Sequence, residues 1–200
     1  KEELDAFAQS DSRITVLNNS GSGIIDALRL AYRKSSGSFI TRMDADDIMF
    51  PNKLDVLKRN LESAGQGNIA VGQVQYFSDD ELKDGYRFYE KWLNDLTASG
   101  SNYRDIYREC VIPSPCWMVY RENLDECGAF EPNVYPEDYD LCFRFYGQKL
   151  KVIPCNEVLH RWRDHSTRSS RNDPNYADNR FLELKLHHFL RLDHNPSRTL

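Results

Sequence analysis

The stretch that decides the fold is NNSGSGIIDALRLAYRKSSGSFITRMDADD, residues 18–47. It opens on a turn-forming cluster of Asn, Ser and Gly. The segment IIDALRLAYRK follows, with apolar residues at helical spacing, and ends in a second Ser/Gly turn. Phe39–Met43 then has the composition of a strand, and three aspartates follow it within four residues. A turn, a helix and a strand that ends in acids are typical of an α/β sheet.

The flanking sequence continues this alternation of strands and helices, which predicts a mostly parallel sheet flanked by helices. Further strands are predicted at Arg13–Leu17, Ile69–Phe77, Cys116–Tyr120 and Leu150–Ile153. Helices are predicted at residues 1–9, from Pro51 to about Ser63, at Pro136–Gln148 and at Tyr176–Leu192. The polar stretch 161–173 is predicted to be a mobile loop. We expect one α/β domain over residues 1–173 and a helical tail over residues 174–200.

Composition excludes several classes of protein. The chain has 200 residues, is 40% apolar and 12% aromatic, and carries a formal net charge of −5. Such a chain is not disordered, and its charge argues against nucleic acid as the main partner. Its five cysteines are odd in number and lack C-x-x-C spacing, so we expect buried thiols in a reducing compartment. Without a transmembrane-length apolar run or a signal peptide, a cytoplasmic protein is predicted, with peripheral membrane association still open.

The first candidate site is the acid cluster after the Phe39–Met43 strand. Asp44 and Asp46 are two residues apart, so in extended backbone they would project to the same side. Two converging carboxylates repel each other unless a cation lies between them, and Mg²⁺ and Mn²⁺ prefer such oxygen ligands. The alternative is a turn with a helix N-cap, since Asp is common in both places.

The second candidate site is the acidic start of the Pro136–Gln148 helix. Glu137, Asp138 and Asp140 would all favour the positive end of the helix dipole, and this is sufficient reason for Glu137 and Asp140. Asp138 has a second interpretation, because a carboxylate at a helix start that faces a cleft can accept a proton from a hydroxyl group.

The third candidate site is the segment 160–168, where Arg161 and His165 stand among other donors. Arg forks bind phosphate, and a neutral His can bind a metal or a phosphate; the alternative is a solvated basic loop. His187 and His188 are predicted to lie on a helix surface. The aromatic residues of segment 79–112 either line a sugar-binding face or belong to the core. These are Tyr86, Tyr89, Trp92, Tyr103 and Tyr107.

In this order and spacing, the motifs resemble the family-2 glycosyltransferases of the GT-A fold. The resemblance runs from about Ile14 to about Ser169. It is carried by residues 18–47, by CGAFEPNVYPEDYDLCFR at 127–144, and by the trailing Arg-x-x-x-His-x-Thr of residues 161–167. Family members begin with nucleotide-binding strands that this sequence does not contain. The resemblance therefore implies that the N-terminal βαβ portion is missing and that Phe39–Met43 has an unpaired edge.

The resemblance also implies an inverting, metal-dependent transfer of a sugar from a nucleotide-diphosphate donor, most often a UDP-sugar. Asp44 and Asp46 would hold Mn²⁺ or Mg²⁺, with Asp44 also near the donor. Asp138 would be the general base, and Glu137 would orient it or contact the acceptor. Gly23, Arg161 and His165 would lie on the donor side.

The acceptor implied by the resemblance is a saccharide, lipid-linked or protein hydroxyl, as in cell-envelope polysaccharide synthesis. Two other functions are weighed beside this one. A sugar nucleotidyltransferase would have a similar sheet, but the Glu-Asp helix start argues against it. A non-catalytic binding module would have kept the fold, although all the expected acids are present.

Overall fold

The computed structural model describes residues 2–192, apart from the side chains of residues 169 and 170. The chain divides into two compact units, Lys1–Ser36 and Gly37–Leu200. The first unit contains helix α1 (Glu2–Ser10) and helix α2 (Gly23–Lys34). Gly23 has a φ of +76°, a backbone conformation that costs glycine little, and this lets α2 begin directly after the turn.

The predicted strand at Arg13–Leu17 is wrong. Residues 11–22, all of them described by the structure, form a turn followed by irregular backbone. The carboxylate of Asp11 accepts hydrogen bonds from both the backbone N–H and the guanidinium of Arg13. Ile14 N–H donates to the Asp11 carbonyl at 3.0 Å. A β-branched run needs a neighbouring strand to become part of a sheet, and here local hydrogen bonds compete with that pairing.

The second unit contains the sheet and the helices that cover it. Its strands are β1 (Phe39–Ile40), β2 (Ile48–Met49), β3 (Asn68–Phe77), β4 (Trp117–Tyr120) and β5 (Lys151–Arg163). Its helices are α3 (Lys53–Ala64), α4 (Asp84–Ser99), α5 (Arg121–Glu126), α6 (Glu137–Gly147), α7 (Ser169–Asn172) and α8 (Asp178–Leu192). Short 3-10 turns span Asn102–Asp105 and Pro174–Tyr176.

The sheet has the strand order β1-β4-β3-β5-β2 over the described residues. The α/β prediction is confirmed, but the sheet is mixed rather than mostly parallel. β3 and β5 are parallel along ten residue pairs, whereas the β1–β4, β3–β4 and β2–β5 pairs are antiparallel. β1 is short and lies at one edge, so the predicted unpaired edge of this segment is also found in the described part of the chain.

Opposite faces of the sheet are covered by different helices. Successive side chains of β4 point to opposite faces. Met118 joins the core cluster that also contains Leu57 of α3 and Leu93 of α4. Its neighbour Trp117 instead packs edge-on against Phe145 of α6, with ring centroids 5.6 Å apart. The helix that carries the second acidic motif therefore packs on the face opposite α3 and α4.

The strand β5 is much longer than the predicted Leu150–Ile153. It continues to Arg163 past a bulge. The register with β3 shifts between Gly72 and Gln73, and Asn156 and Glu157 are left without a partner residue on β3. A side chain at Gly72 would place its Cβ 2.7 Å from Leu159, so glycine permits the close approach of the two strands. The longer β5 carries the third motif along the sheet to the first.

The five cysteines are confirmed as free, buried thiols, and all of them lie in the described part of the chain. No described helix is both long enough and apolar enough to cross a membrane.

Candidate active site

The first acid cluster lies in a turn rather than in extended backbone. The N–H of Asp47 donates to the Asp44 carbonyl at 3.3 Å. The side chains consequently meet different partners: Asp44 binds Arg42 and Asp46 binds His165. The expectation of extended backbone at Asp44 and Asp46 is therefore wrong.

Asp46 and His165 are brought together by this turn and by the chain that leaves β5. His165 Nε2 lies 2.7 Å from Asp46 Oδ2, and its Nδ1 lies 2.8 Å from Thr167 Oγ1. Burial raises the pKa of Asp46, but the hydrogen bond with His165 and the nearby charge of Arg168 outweigh it, so the net shift is downward. Asp46 is thus an exposed, charged acid with an imidazole beside it.

Asp47, the third acid of the cluster, is part of the buried framework. Its Oδ2 lies 2.8 Å from His160 Nε2, and its Oδ1 accepts the backbone N–H of Arg163 at 2.7 Å. His160 Nδ1 lies 3.1 Å from the amine of Lys53, and burial lowers the pKa of this lysine. This chain of buried polar groups fixes the turn to α3 and β5.

Arg42 connects the first acid cluster to the second. Its guanidinium donates to Asp44 Oδ1 at 3.0 Å and to Glu137 Oε1 at 3.2 Å. The other oxygen of Glu137 accepts the hydroxyl of Tyr176 at 2.5 Å. Both oxygens of Glu137 are therefore engaged by the protein itself.

Asp138 lines a cavity of about 500 Å³ in the second unit. Burial, reinforced by the charge of the neighbouring Glu137, raises the pKa of Asp138 to about 7, although the charge of Arg42 opposes the shift. The Oδ1 atom of Asp138 accepts the N–H of Tyr139 at 2.8 Å, which fixes the carboxylate at the helix start. A carboxyl group with this pKa can accept a proton near neutral pH.

Aromatic rings and one arginine form much of the rest of the cavity. Tyr76 and Trp162 stack with centroids 5.0 Å apart, and Tyr86 and Tyr89 pack beside Tyr76. The guanidinium of Arg168 lies 5.4 Å from the centroid of the Trp162 ring. Arg168 thus lines the cavity of Asp138 and also influences Asp46, so the two acids share one neighbour.

The aromatic residues of segment 79–112 fall into two groups in the structure. Tyr86 and Tyr89 line the cavity. Trp92 donates to Asp105, and Tyr103 and Tyr107 pack against rings of α6. These last three residues are half-buried and take part in packing rather than in the lining of this cavity.

Arg161 contacts an aromatic ring, and Gly23 belongs to the other compact unit of the chain. Arg161 is on β5, and its guanidinium lies 4.4 Å from the ring centroid of Phe77 on β3. Arg163, two residues later, donates instead to the Asp46 carbonyl at 2.8 Å. Gly23 belongs to the first unit, at the start of α2.

The segment 161–173 differs from the predicted mobile loop. Its first residues belong to β5, and α7 follows at Ser169–Asn172. Arg168 and Arg171 both face Asp164, at 3.8 and 2.8 Å. The segment therefore contains an acid that neutralises part of its positive charge.

His188 is buried, not on the helix surface as predicted. Its Nε2 lies 2.8 Å from Asp140 Oδ1, while Arg144 donates to Asp140 Oδ2 at 2.7 Å. The helix dipole alone is therefore an incomplete reason for Asp140. It joins α6 to α8.

Comparison with known proteins agrees with the motifs. The family model Glycosyl transferase family 2 matches residues 1–128. The chain belongs to this family. Glycosyltransferase GlyG of Streptococcus pneumoniae is 28% identical over 82% of this chain and 57% of its own length. The UDP-Glc:alpha-D-GlcNAc-diphosphoundecaprenol beta-1,3-glucosyltransferase WfgD of Escherichia coli is 24% identical over 88% of this chain and 63% of its own length.

An uncharacterized glycosyltransferase of Rickettsia bellii is 29% identical over 68% of this chain, but this covers only 18% of the relative. The chain thus spans less than two thirds of each of these curated relatives. The mixed sheet with covering helices is consistent with the GT-A-like domain expected of the family.

A divalent metal would find only part of its ligand set in this family-2 chain. Among the described residues, no three His, Cys, Asp or Glu side chains cluster as a complete site. Asp46 is 45% exposed and Asp44 is 31% exposed, so each carboxylate can reach a ligand. Carboxylate oxygens with one nearby imidazole suit Mn²⁺ or Mg²⁺ if diphosphate and water supply the remaining ligands. The donor set therefore fits a metal that binds together with its substrate.

Sequence reasoning missed Arg42, Tyr176 and the pair Tyr76 and Trp162. Arg42 was read only as part of a strand, and Tyr176 only as the start of a helix. The signal for Arg42 was an arginine two residues before an acid, which is too common to single out. Its partner Glu137 is 95 residues away, and only the fold brings them together.

Proposed function

We propose that this protein transfers a hexose from a nucleotide-diphosphate sugar, a UDP-sugar, to an acceptor hydroxyl with inversion of the anomeric centre. The observation that carries the proposal is Asp138, a carboxyl group with a pKa of about 7 that faces a 500 Å³ cavity. The charged acid Asp46 lies beside the same arginine, Arg168, that lines this cavity. Glycosyl transfer needs a proton acceptor beside a site where a bound cation and Arg168 would offset the charge of a diphosphate.

The acceptor would occupy the aromatic cavity. Tyr76, Tyr86 and Trp162 offer apolar faces that suit the C–H surface of a sugar ring. Asp138 lines the same cavity and would face the acceptor hydroxyl. The acceptor oxygen would give its proton to Asp138 and form a bond to the anomeric carbon. The bond from that carbon to the diphosphate would break, and its electron pair would leave with the diphosphate. Attack from the face opposite the leaving group inverts the anomeric centre.

The donor diphosphate would lie at the turn of the first acid cluster. Asp44 and Asp46 would hold Mn²⁺ or Mg²⁺, which supplies positive charge for the diphosphate oxygens when it is bound. His165 and Arg168 would add hydrogen bonds and charge on the same side. Arg161 could reach the diphosphate only if its guanidinium left the Phe77 ring.

The uridine and the acceptor class rest on similarity. One relative is named as acting from UDP-Glc on a diphosphoundecaprenol-linked sugar. We propose that this protein also uses a nucleotide donor of that kind and that its acceptor is a saccharide that is lipid-linked or protein-borne. This proposal places it in the cytoplasm at the inner membrane face, in synthesis of envelope polysaccharide.

A screen of nucleotide sugars with the full-length protein tests the proposal. Release of nucleoside diphosphate is measured with Mn²⁺, with Mg²⁺ and with excess chelator. We expect turnover with at least one donor, loss of it with chelator, and loss of it in Asp138→Asn. Donor binding without turnover under any condition would instead support a binding module. Formation of a nucleotide sugar from a nucleoside triphosphate and a sugar 1-phosphate, with release of pyrophosphate, would support a nucleotidyltransferase.

A further inference from the structure

The guanidinium of Arg42 is the only described side chain that bonds to acids of both clusters. It is 7% exposed and contacts Asp44 on one side and Glu137 on the other, at 3.0 and 3.2 Å. Glu137 is held from its other oxygen by Tyr176. The four residues therefore form one continuous chain of hydrogen bonds from the turn after β1 to the segment that precedes α8.

A buried arginine in this position is costly unless its partners compensate it. Burial lowers the pKa of Arg42, but the charges of Asp44, Glu137 and Asp138 outweigh it, so its pKa is raised overall. Its Nε atom is buried and has no hydrogen-bond partner within residues 2–192. An apolar residue would anchor this strand end at lower cost, because buried ion pairs seldom exceed hydrophobic packing in stability. The charge must therefore serve a purpose that packing cannot.

We propose that Arg42 is a positioning residue that couples the donor side of the site, at Asp44, to the acceptor side, at the start of α6. It does so through Glu137, whose two oxygens are held by Arg42 and Tyr176. Glu137 is on this view a second positioning residue and makes no contact with the acceptor. The inference rests on the proposed glycosyl transfer and adds to it a role for Arg42, a residue to which the resemblance assigns none.

The coupling has a direct consequence for catalysis. Asp138 follows Glu137 in the first turn of α6, so the placement of the base depends on how Glu137 is held. Asp44 is held by the same guanidinium, so a shift of Asp44 on donor binding changes the contact that fixes Glu137. Loss of Arg42 is therefore expected to weaken donor binding and to misplace the base at once. A displacement of about 1 Å at a catalytic group is enough to cost roughly 10²-fold in rate.

The test is a double-mutant cycle in the full-length protein between Arg42→Met and Tyr176→Phe, with kcat and donor KM measured for each. Arg42→Met should lower kcat by roughly 10²-fold and raise donor KM. Tyr176→Phe, which removes one hydrogen bond to a charged group, should lower kcat about tenfold with donor KM unchanged. In the Arg42→Met background, Tyr176→Phe should change kcat by less than twofold, because the chain is already broken.

Two further variants separate positioning from plain structural support. Arg42→Lys keeps the charge but cannot reach both carboxylates as a planar fork, so it should not restore kcat. Tyr103→Phe removes a buried hydroxyl that has no partner within the described residues, and it is the matched control for Tyr176→Phe. Melting temperature is measured for every variant, so that loss of folded protein is separated from loss of turnover.

The outcomes distinguish the inference from the function on which it rests. Additive effects of Arg42→Met and Tyr176→Phe on kcat would overturn the coupling while leaving glycosyl transfer intact. Full activity of Arg42→Lys, or a fall in melting temperature with unchanged kcat in Arg42→Met, would do the same. A wild-type protein that transfers no sugar from any donor would overturn the proposed function and the inference with it.

Discussion

Two clusters of three acids can be compared: the turn cluster (Asp44, Asp46 and Asp47) and the helix cluster (Glu137, Asp138 and Asp140). The acids of the two clusters have similar kinds of hydrogen-bond partner. Each cluster has one acid buried against a histidine at 2.8 Å, Asp47 with His160 and Asp140 with His188. Each cluster also has one acid bound to Arg42. The acid bound neither to Arg42 nor to a buried histidine is Asp46 in the turn cluster and Asp138 in the helix cluster.

The two remaining acids have opposite properties. Asp46 is exposed, is bonded to His165, and has a lowered pKa, so it stays charged. Asp138 is half-buried beside Glu137 and has a raised pKa. A charged, exposed carboxylate suits a cation, and a carboxylate with a pKa near 7 suits proton transfer. Their environments, and not their residue type, thus set the two acids apart.

The largest effect is expected for Asp138→Asn. An amide cannot accept the proton of the acceptor hydroxyl, so kcat should fall by roughly 10²–10⁴-fold, while donor affinity changes little. Initial rates at saturating donor measure this effect. Glu137→Gln is the comparison variant and should be milder, because its amide oxygen can still accept from Arg42 while its amide N–H donates to the Tyr176 hydroxyl oxygen. If Glu137→Gln is the more severe change, the roles of the pair must be exchanged.

A smaller effect, and one on binding, is expected for Asp46→Asn. Loss of the charged ligand should weaken Mn²⁺-dependent donor binding by roughly 10²-fold, measured by calorimetry with and without the metal. Asp79→Asn is the matched control, since Asp79 is an exposed acid paired with Arg163, the same arginine that donates to the Asp46 carbonyl. Equal donor affinities of the wild type and Asp46→Asn in Mn²⁺ would remove the turn cluster from the donor site.

Asp140→Asn tests the assignment of buried acids to the framework. The change removes the charge between Arg144 and His188 and should lower the free energy of unfolding by about 2 kcal/mol, measured by urea denaturation. Turnover per folded molecule should stay at the wild-type level. A large fall in kcat at full folding would mean that Asp140 acts in the site.

Sequence patterns predicted those elements whose character is local. Long periodic segments such as α6 and β3 were found to within about two residues, because burial of one face fixes them. Arg13–Leu17 failed, since a strand depends on a neighbour that the sequence of the strand does not specify. The end of β5 was missed because Pro154 and the bulge at Asn156 and Glu157 hide a strand that the parallel pairing with β3 maintains.

The candidate site was predictable only in part for the same reason. Asp46 and His165 were grouped by resemblance, and the structure brings them within 2.7 Å. Which acid would be exposed, bridged or buried was not readable, because those environments come from Arg42, His160 and His188. His160 and His188 are 113 and 48 residues away from the acids they bind, and Arg42 is 95 residues away from Glu137.

The smallest expected effect concerns stability as a function of pH. An acid whose pKa is higher in the folded state than its ordinary value of about 3.9 holds its proton more tightly when folded. The stability contributed by that proton is present below about pH 4 and is lost as the pH rises through about 7. Asp138→Asn does not titrate, so it should be more stable than the wild type at pH 8, by about 1 kcal/mol, and should lose this advantage near pH 4.

Asp46→Asn should show the opposite sign, and this makes the pair a direct test of the comparison. The pKa of Asp46 is lowered by folding, so its charged form adds stability above its ordinary pKa, and that stability is lost as the pH falls through its folded pKa. The asparagine variant should therefore be slightly less stable than the wild type at neutral pH and should match it in acid. Thermal melting of the wild type and both variants between about pH 2 and pH 8, a range that extends below the ordinary pKa of an aspartate, measures the two differences. Curves that run parallel for all three proteins would mean that the two acids share one electrostatic environment, and the assignment of one to the metal and the other to the proton would lose its basis.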